Sequence, residues 1–460
     1  MSRWAASSPN SVMRMSNTAI RRRTDPVATD RTVAKAATSV AAILFTIAII
    51  SFRPFQPAGG GVAEVGAAAG GGDVLNQLGF GGLGAVAVIA LLCLANPRRI
   101  SVLLSPWWLL MLAFVLLSVL NAGDPSSAMR TAIFTLIGMV TMCAVVILPR
   151  DADAFSVVLV ALSATVLGLS YIGLVILPDI AIHSAASQEP QHAGLWRGLF
   201  SHKNVAGPVM ACISFAGFYL YRRGWKWIGA GIFVAALIFV SNTGSKTTAG
   251  LVPLAILIVA MPSLIGMRLI TIVLFFAAII GTALGTVGIV YLDFMKALAA
   301  EHFPGLTYSG RTALWQFAGE MLVKQPWTGY GFDNFWGTPL LSNTVQPFDR
   351  EWDIRTIVHG HNGYVDIALT MGIPALCAAV MMFIVEPARD YMRVPHRREN
   401  VFLADFFMMA LLFTTLNAFL ESFFFRRADP VWLFVVLSIT GLRFVARFPV
   451  KGSAAGDNQT

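Results

Sequence analysis

About a dozen apolar stretches, each long enough or nearly long enough to cross a bilayer, run the length of this chain and constrain its architecture before any motif is read. A spanning helix takes about 17–25 mostly apolar residues. Such stretches fall at 36–52, 78–95, 103–120, 130–148, 154–177, 204–221, 227–241, 248–262, 268–291, 364–385, 401–420 and 430–446. A chain of 460 residues that is 56% hydrophobic and 12% charged cannot cover a water-soluble fold with polar surface. The fold class is therefore an all-α polytopic integral membrane protein of about 12 transmembrane helices.

Arginine and lysine orient the spans. Arg21-Arg22-Arg23, Arg98-Arg99, Arg150, Arg222-Arg223, Lys226, Arg268, the 389–398 arginines, Arg443, Arg447 and Lys451 occupy alternate loops. Cytoplasmic loops collect such residues, so both termini are expected in the cytoplasm. The net charge of +9 then reports membrane topology and does not signal a nucleic-acid partner. The domain order expected is a disordered basic tail over 1–35, nine spans over 36–291, a large outer loop over 292–363, three spans over 364–446 and a tail over 447–460. Cys93, Cys143, Cys212 and Cys377 all lie in apolar stretches without disulfide or metal spacing, and read as space-filling.

The polar chemistry sorts to the opposite face. Six of seven histidines, His183, His192, His202, His302, His359 and His361, fall in the outer loops, as do Arg197, Arg311, Arg350 and Arg355. Arg197 sits in Trp196-Arg-Gly-Leu-Phe-Ser-His-Lys-Asn204, at the entrance to a span. There, Gly198 allows close backbone approach, and Arg197 and Lys203 with His202 make an anion-binding cluster. Ser245-Lys246-Thr247-Thr248 offers another cation with hydroxyls. Within the outer loop, Ser309–Leu322 reads as an amphipathic helix capped by Ser309, with Arg311 in its first turn, where the helix dipole favours an anion. Trp315 and Trp327 suit the lipid headgroup zone.

His361, in Val358-His-Gly-His-Asn-Gly-Tyr364, can act as a base near neutral pH. His359-x-His361 alone supplies too few ligands for a metal. Asp349, Glu351 and Asp353, flanked by Arg350 and Arg355, read as a salt-bridged surface, and Asp151-Ala-Asp153 as a helix cap. Glu421 and Arg426-Arg427 read as structural residues bordering the site. The chain has no Gly-Lys-Ser/Thr phosphate loop and few ionisable residues at mid-span, which argues against an ATP motor and a proton-coupled transporter.

Several segments, in order, resemble the O-antigen ligase/polymerase superfamily: Arg197–Asn204, Ser245-Lys246-Thr247, Ser309-Gly-Arg311 with Trp315, Gln325–Phe332 with Tyr330, and His361-Asn362-Gly-Tyr364 through Gly372. The Arg197 and His361 segments look most like its exopolysaccharide-polymerase branch. The resemblance implies a GT-C-like, metal-independent glycosyltransferase of the bacterial inner membrane with no cofactor. Its donor would be an undecaprenyl-pyrophosphate-linked oligosaccharide and its acceptor a sugar hydroxyl of a glycan, reacting on the periplasmic face among membrane lipids. Flippase and chain-length or export proteins are implied partners.

By the same resemblance, Arg197 and Arg311 neutralise the leaving diphosphate and His361 takes the hydroxyl proton. Lys246, Ser245, His202, Lys203, Asn204, Asn362, Trp315 and Tyr330 would hold diphosphate or glycan. Lys246 stands where relatives often have Arg, and a lysine loses bidentate geometry. The rival readings are a ligase that transfers lipid-linked glycan to a lipid A core and, from another class, a flippase for such lipids.

Overall fold

In a bilayer every backbone N–H and C=O must be satisfied within the chain, so each apolar stretch has helix as its economical solution. Every one of the twelve expected spans carries helix at its position. The computed structural model describes residues 26–56, 74–185, 190–302, 310–343, 353, 355 and 357–450. Its principal helices are α1 (Pro26–Ile50), α2 (Val74–Leu94), α3 (Pro106–Leu120), α4 (Pro125–Ile147), α5 (Ala152–Ile176), α6 (Lys203–Arg223), α7 (Lys226–Asn242), α8 (Lys246–Leu264) and α9 (Arg268–Ala283). They continue with α10 (Asp293–His302), α11 (Arg311–Lys324), α12 (Gly363–Met371), α13 (Ile373–Val380), α14 (Glu386–Arg393), α15 (Arg398–Asn417) and α16 (Pro430–Arg447).

Among the described residues nine helices are long and apolar enough to cross a membrane, and a pair bent by 55° at Pro97–Leu103 and Pro106–Leu120 makes ten. The other two expected spans are α7, which has 17 residues, and the interrupted α12–α13. Helix starts are chemically marked. Asp124, Asp151, His202, Ser245, Asn362 and Asp429 each accept a backbone N–H of the first turn that follows. Asp151 is thus the helix cap that its sequence context suggested.

Burial divides the bundle. Most of the apolar window of α15 and α16 is buried (83% each), as is that of α6 (78%), against 22% for the helix that begins at Arg268. The three buried helices therefore form the interior and α9 faces outward. Short α7 lies flat against α6 because glycines meet there. A Cβ at Gly217 would stand 2.6 Å from the Phe233 backbone nitrogen, and one at Gly229 would collide with the backbone at Tyr221.

The stretch 364–385, expected as one uninterrupted span, is broken. Gly372 takes a left-handed φ of 87° between α12 and α13. Any side chain there would strike the Trp327 carbonyl. The freed backbone groups are taken up by the turn 326–331: Ile373 donates to the Pro326 carbonyl at 2.8 Å, and Tyr330 and Gly331 donate to the Leu369 and Thr370 carbonyls at 2.8 and 3.0 Å. The Trp-Thr-Gly-Tyr-Gly turn thus plugs a gap in the bundle, and such non-helical backbone is tolerated only where protein surrounds it.

The arginine clusters, expected as topology signals, are also built into the bundle. Arg222 pairs with buried Asp405 at 2.6 Å, and Asp405 also accepts from Ser263 and Tyr391. Arg223 lies 2.8 Å from Asp153 and 2.5 Å from Glu399, while Arg447 reaches Asp390 at 3.1 Å. This arginine end lies at the opposite end of the helices from the histidines.

Candidate active site

The site forms where three non-adjacent segments are sewn together at the histidine end. The loop 360–363 is fixed on both sides of His361. On one side, Gly360 accepts from the Trp315 indole at 2.9 Å and donates to Asp366 at 3.2 Å. On the other, Asn362 is fully buried and its side chain is spent locally. It caps α12 through the Tyr364 and Val365 amides, and its Nδ2 donates to the Phe419 carbonyl at 3.0 Å. The Asn362 amide reaches Ser422 Oγ and the Gly363 amide reaches the Ala418 carbonyl. Held between these anchors, His361 adopts a left-handed φ of 48°. A non-glycine residue in that region carries strain of roughly 1–3 kcal/mol, a state that tends to cluster at functional sites.

The loop 418–422 brings Glu421 to the centre. Asn204 Nδ2 and Arg311 Nη2 both donate to its Oε1 at 3.1 Å, and His361 Nδ1 lies 3.5 Å from its Oε2. Arg311 Nη1 also donates to the Leu420 carbonyl at 2.6 Å. Burial raises the Glu421 carboxyl, but the His361 contact and the charges of Arg311 and His202 hold it below its ordinary value. A cleft lined by Asn204, Ser245, Thr247, Asn417 and Glu421 opens beside this cluster.

His359 packs edge-on to His361 with ring centroids 4.0 Å apart. Burial, together with Arg426, His361, Arg311 and His202, holds its imidazole well below the usual value. His359 is therefore neutral beside its partner. His183, His192 and His202 form a second histidine group, with ring centroids 4.9 to 5.8 Å apart. His202 Nδ1 caps α6 at the Asn204 amide, and His183 Nε2 accepts from the Lys203 amide. Among the described residues no three His, Cys, Asp or Glu side chains gather as a metal site requires.

The expected site residues divide clearly. Arg311, His361 and Asn204 meet on Glu421, and Ser245 lines the adjoining cleft while capping α8. Lys246 is the first residue of α8 and is exposed beside that cleft without lining it. Lys203 is buried at the start of α6. Arg197 is sealed: it is 0% exposed and donates through Nη1 to the Ser201 carbonyl at 2.7 Å, while Nε and Nη2 have no hydrogen-bond partner among the described residues.

Two aromatics have structural work. Trp315, expected near headgroups, is 0% exposed, because its indole ties α11 to the His361 loop; Trp327, at 74%, is the exposed one. The Tyr330 hydroxyl donates to the Met321 carbonyl at 2.9 Å. The outer helix runs over Arg311–Lys324, slightly later than expected, behind Gly310 as cap. Ser309 lies outside the described residues, as do Asp349, Arg350 and Glu351. Asp353 and Arg355 pair at 2.8 Å on the surface, as their sequence suggested.

Glu421 is the residue that sequence reasoning undervalued. It follows a span in an apolar neighbourhood, so its only visible signal was a lone carboxylate on the same face as isolated arginines.

Comparison with known proteins bears on the same region. Residues 230–380 match the model of a family described as O-antigen ligase. That stretch holds Lys246, Arg311 and His361 and leaves Arg197, Asn204 and Glu421 outside. The chain is also similar to an exopolysaccharide production protein, ExoQ, of Rhizobium meliloti (strain 1021), at 25% identity over 211 residues. The match covers 41% of this chain and 45% of that relative, so the chain spans less than half the relative's length.

Proposed function

We propose that this chain, a polytopic membrane protein similar to the O-antigen ligase/polymerase superfamily, is a polymerase that joins lipid-linked oligosaccharide repeat units into exopolysaccharide. The donor is a glycan on undecaprenyl pyrophosphate, and the reaction takes place on the periplasmic face of the bacterial inner membrane, with both termini cytoplasmic. The observation that carries this reading is the meeting of a fixed guanidinium, an imidazole and a carboxylate at the histidine end of the bundle.

The chemistry needs little else. A diphosphate is already a competent leaving group, so catalysis consists of charge stabilisation, a positioned acceptor and a base. The acceptor hydroxyl oxygen forms a bond to the anomeric carbon as the bond from that carbon to the diphosphate oxygen breaks. The lipid diphosphate departs with the electron pair. The hydroxyl proton passes to His361, and Glu421 beside Nδ1 stabilises the imidazolium that results.

Arg311 is the guanidinium best placed to meet the departing diphosphate, with exposed Lys246 a point charge at the entrance to the next helix. Asn204 and Ser245 line the approach. Lys203 adds positive potential from the start of α6, which His202 caps, as does Arg197, a buried cation acting through its field. Asn362, Trp315 and Tyr330 serve the site by holding its loops. Fixed cations do here what a metal does elsewhere, so the reaction proceeds in a chelator and without a cofactor.

Replacing His361 with Asn tests the assignment, because asparagine tolerates the left-handed backbone while removing the base. Cells carrying His361→Asn are expected to hold normal amounts of the protein in the membrane and to make no polymer. Normal polymer would remove His361 from the mechanism. The second reading, a ligase that transfers the glycan to a lipid A core, is favoured by the description of the matching family. It shares every step and differs only in the acceptor.

A further inference from the structure

One carboxylate reaches the peptide groups on both sides of His361. Asp366 lies in the first turn of α12, just after the proposed base, where the helix dipole also favours negative charge. Its Oδ1 accepts from the Gly360 amide at 3.2 Å, and its Oδ2 lies 3.3 Å from the same nitrogen. On the far side of His361 the link runs through Ser422. Its hydroxyl donates to the Asp366 carboxylate, while its Oγ accepts from the Asn362 amide at 3.0 Å. Glycine is what admits the carboxylate so close, because a Cβ at Gly360 would stand 2.3 Å from Asp366 Oδ1.

The carboxylate is itself held from the outer segment. Trp336 donates its indole N–H to Oδ1 at 2.7 Å, and its ring meets Phe335 edge-on with centroids 4.8 Å apart. Phe335 in turn is buried in a small apolar cluster with Phe317 and Leu369. Arg426 adds a cation within electrostatic reach of Asp366 and donates to the Val358 carbonyl at 3.4 Å, at the start of the same loop. Hydrogen bonds to an ionised acceptor are roughly twice as strong as neutral ones, so one aspartate can gather three donors where an amide would hold them weakly. A left-handed residue such as His361 persists only where its surroundings over-determine it.

We propose that Asp366 is the positioning residue of the base. Through Gly360 and Ser422 it holds the left-handed backbone of His361, and so keeps the imidazole facing Glu421, without itself touching substrate. The inference rests on the assignment of His361 as the base.

The test is NMR of the full-length protein in nanodiscs with isotope-labelled histidine, the His361 signal being identified by its loss in His361→Asn. Asp366→Asn keeps the shape and removes the charge. In that variant the His361 signal is expected to shift or split, while that of exposed His302 stays in place. Turnover of a lipid-diphosphate-linked repeat unit should fall about 10- to 100-fold through kcat, with KM unchanged. An unmoved His361 signal would overturn the proposal, as would wild-type kcat or a loss carried by KM alone. Equal displacement of every histidine signal would mean that Asp366 maintains the fold at large, and would overturn it too. Should Asp366→Asn fail to reach the membrane, Trp336→Phe withdraws one donor from the carboxylate and keeps an aromatic ring. The His361 signal should again move, and its staying in place would count against the proposal in the same way. A wild type that makes no polymer would sink the glycosyltransferase reading and leave the signal to decide this one, because it is read without turnover.

Discussion

Glu421 sets the electrostatic character of the proposed site, because Arg311, Asn204 and His361 all face its carboxylate. Glu421→Gln keeps the shape and an oxygen for Asn204 but removes the charge. Turnover is expected to fall about 10- to 100-fold with the fold intact. Wild-type turnover in this variant would mean that Glu421 does not act in the site.

His359 makes a prediction of the opposite kind, on stability. Its folded-state pKa is depressed below the ordinary 6.5, so the unfolded chain binds the extra proton first. Its contribution is complete above that value and is lost as pH falls towards the folded pKa. Thermal melts from pH 7.5 to 5 should show wild type losing stability faster than His359→Gln. Parallel melting curves would mean that the ring is not held neutral.

Among elements, the instructive ones are those whose role the sequence concealed. Span positions were legible because apolar length is a local property, and so were caps such as Asp151, whose chemistry acts within one helical turn. The break at Gly372 was not legible. A glycine inside an apolar run reads as tolerated helix until the turn 326–331, some forty residues upstream, is seen filling the gap. Trp315 was misplaced for a related reason. Its amphipathic spacing and aromatic character suit an interface as well as a core, and only its bond to Gly360 distinguishes them.

Asn362 carries the clearest prediction at this scale. Its side chain closes the first turn of α12 and reaches the Phe419 carbonyl, so Asn362→Ala should cost about 1–2 kcal/mol of stability. It should also lower turnover by loosening His361. A variant of wild-type stability with lowered turnover would instead make Asn362 a substrate contact.

Across the whole molecule, charge is divided by end. At the arginine end Arg222, Arg223, Arg443 and Arg447 have carboxylate partners in the bundle, so they serve packing as well as topology. At the histidine end isolated cations and imidazoles gather around one carboxylate. That division was legible from loop composition, because alternate loops lie on alternate faces. The meeting of Arg311, His361 and Glu421 within one cluster was not, since they are separated by fifty or more residues and joined by long-range hydrogen bonds between loops. Arg197 was the reverse case, a conspicuous sequence candidate that the fold seals away from solvent.

The most direct measurement of the central claim uses purified full-length protein in nanodiscs with a lipid-diphosphate-linked repeat unit and EDTA, and resolves the products by size. The account predicts a ladder of lengthened lipid-linked glycans from the wild type and none from His361→Asn. No ladder without added metal, or an equal ladder from the variant, would contradict it; transfer only when a lipid A core is added would make the enzyme a ligase.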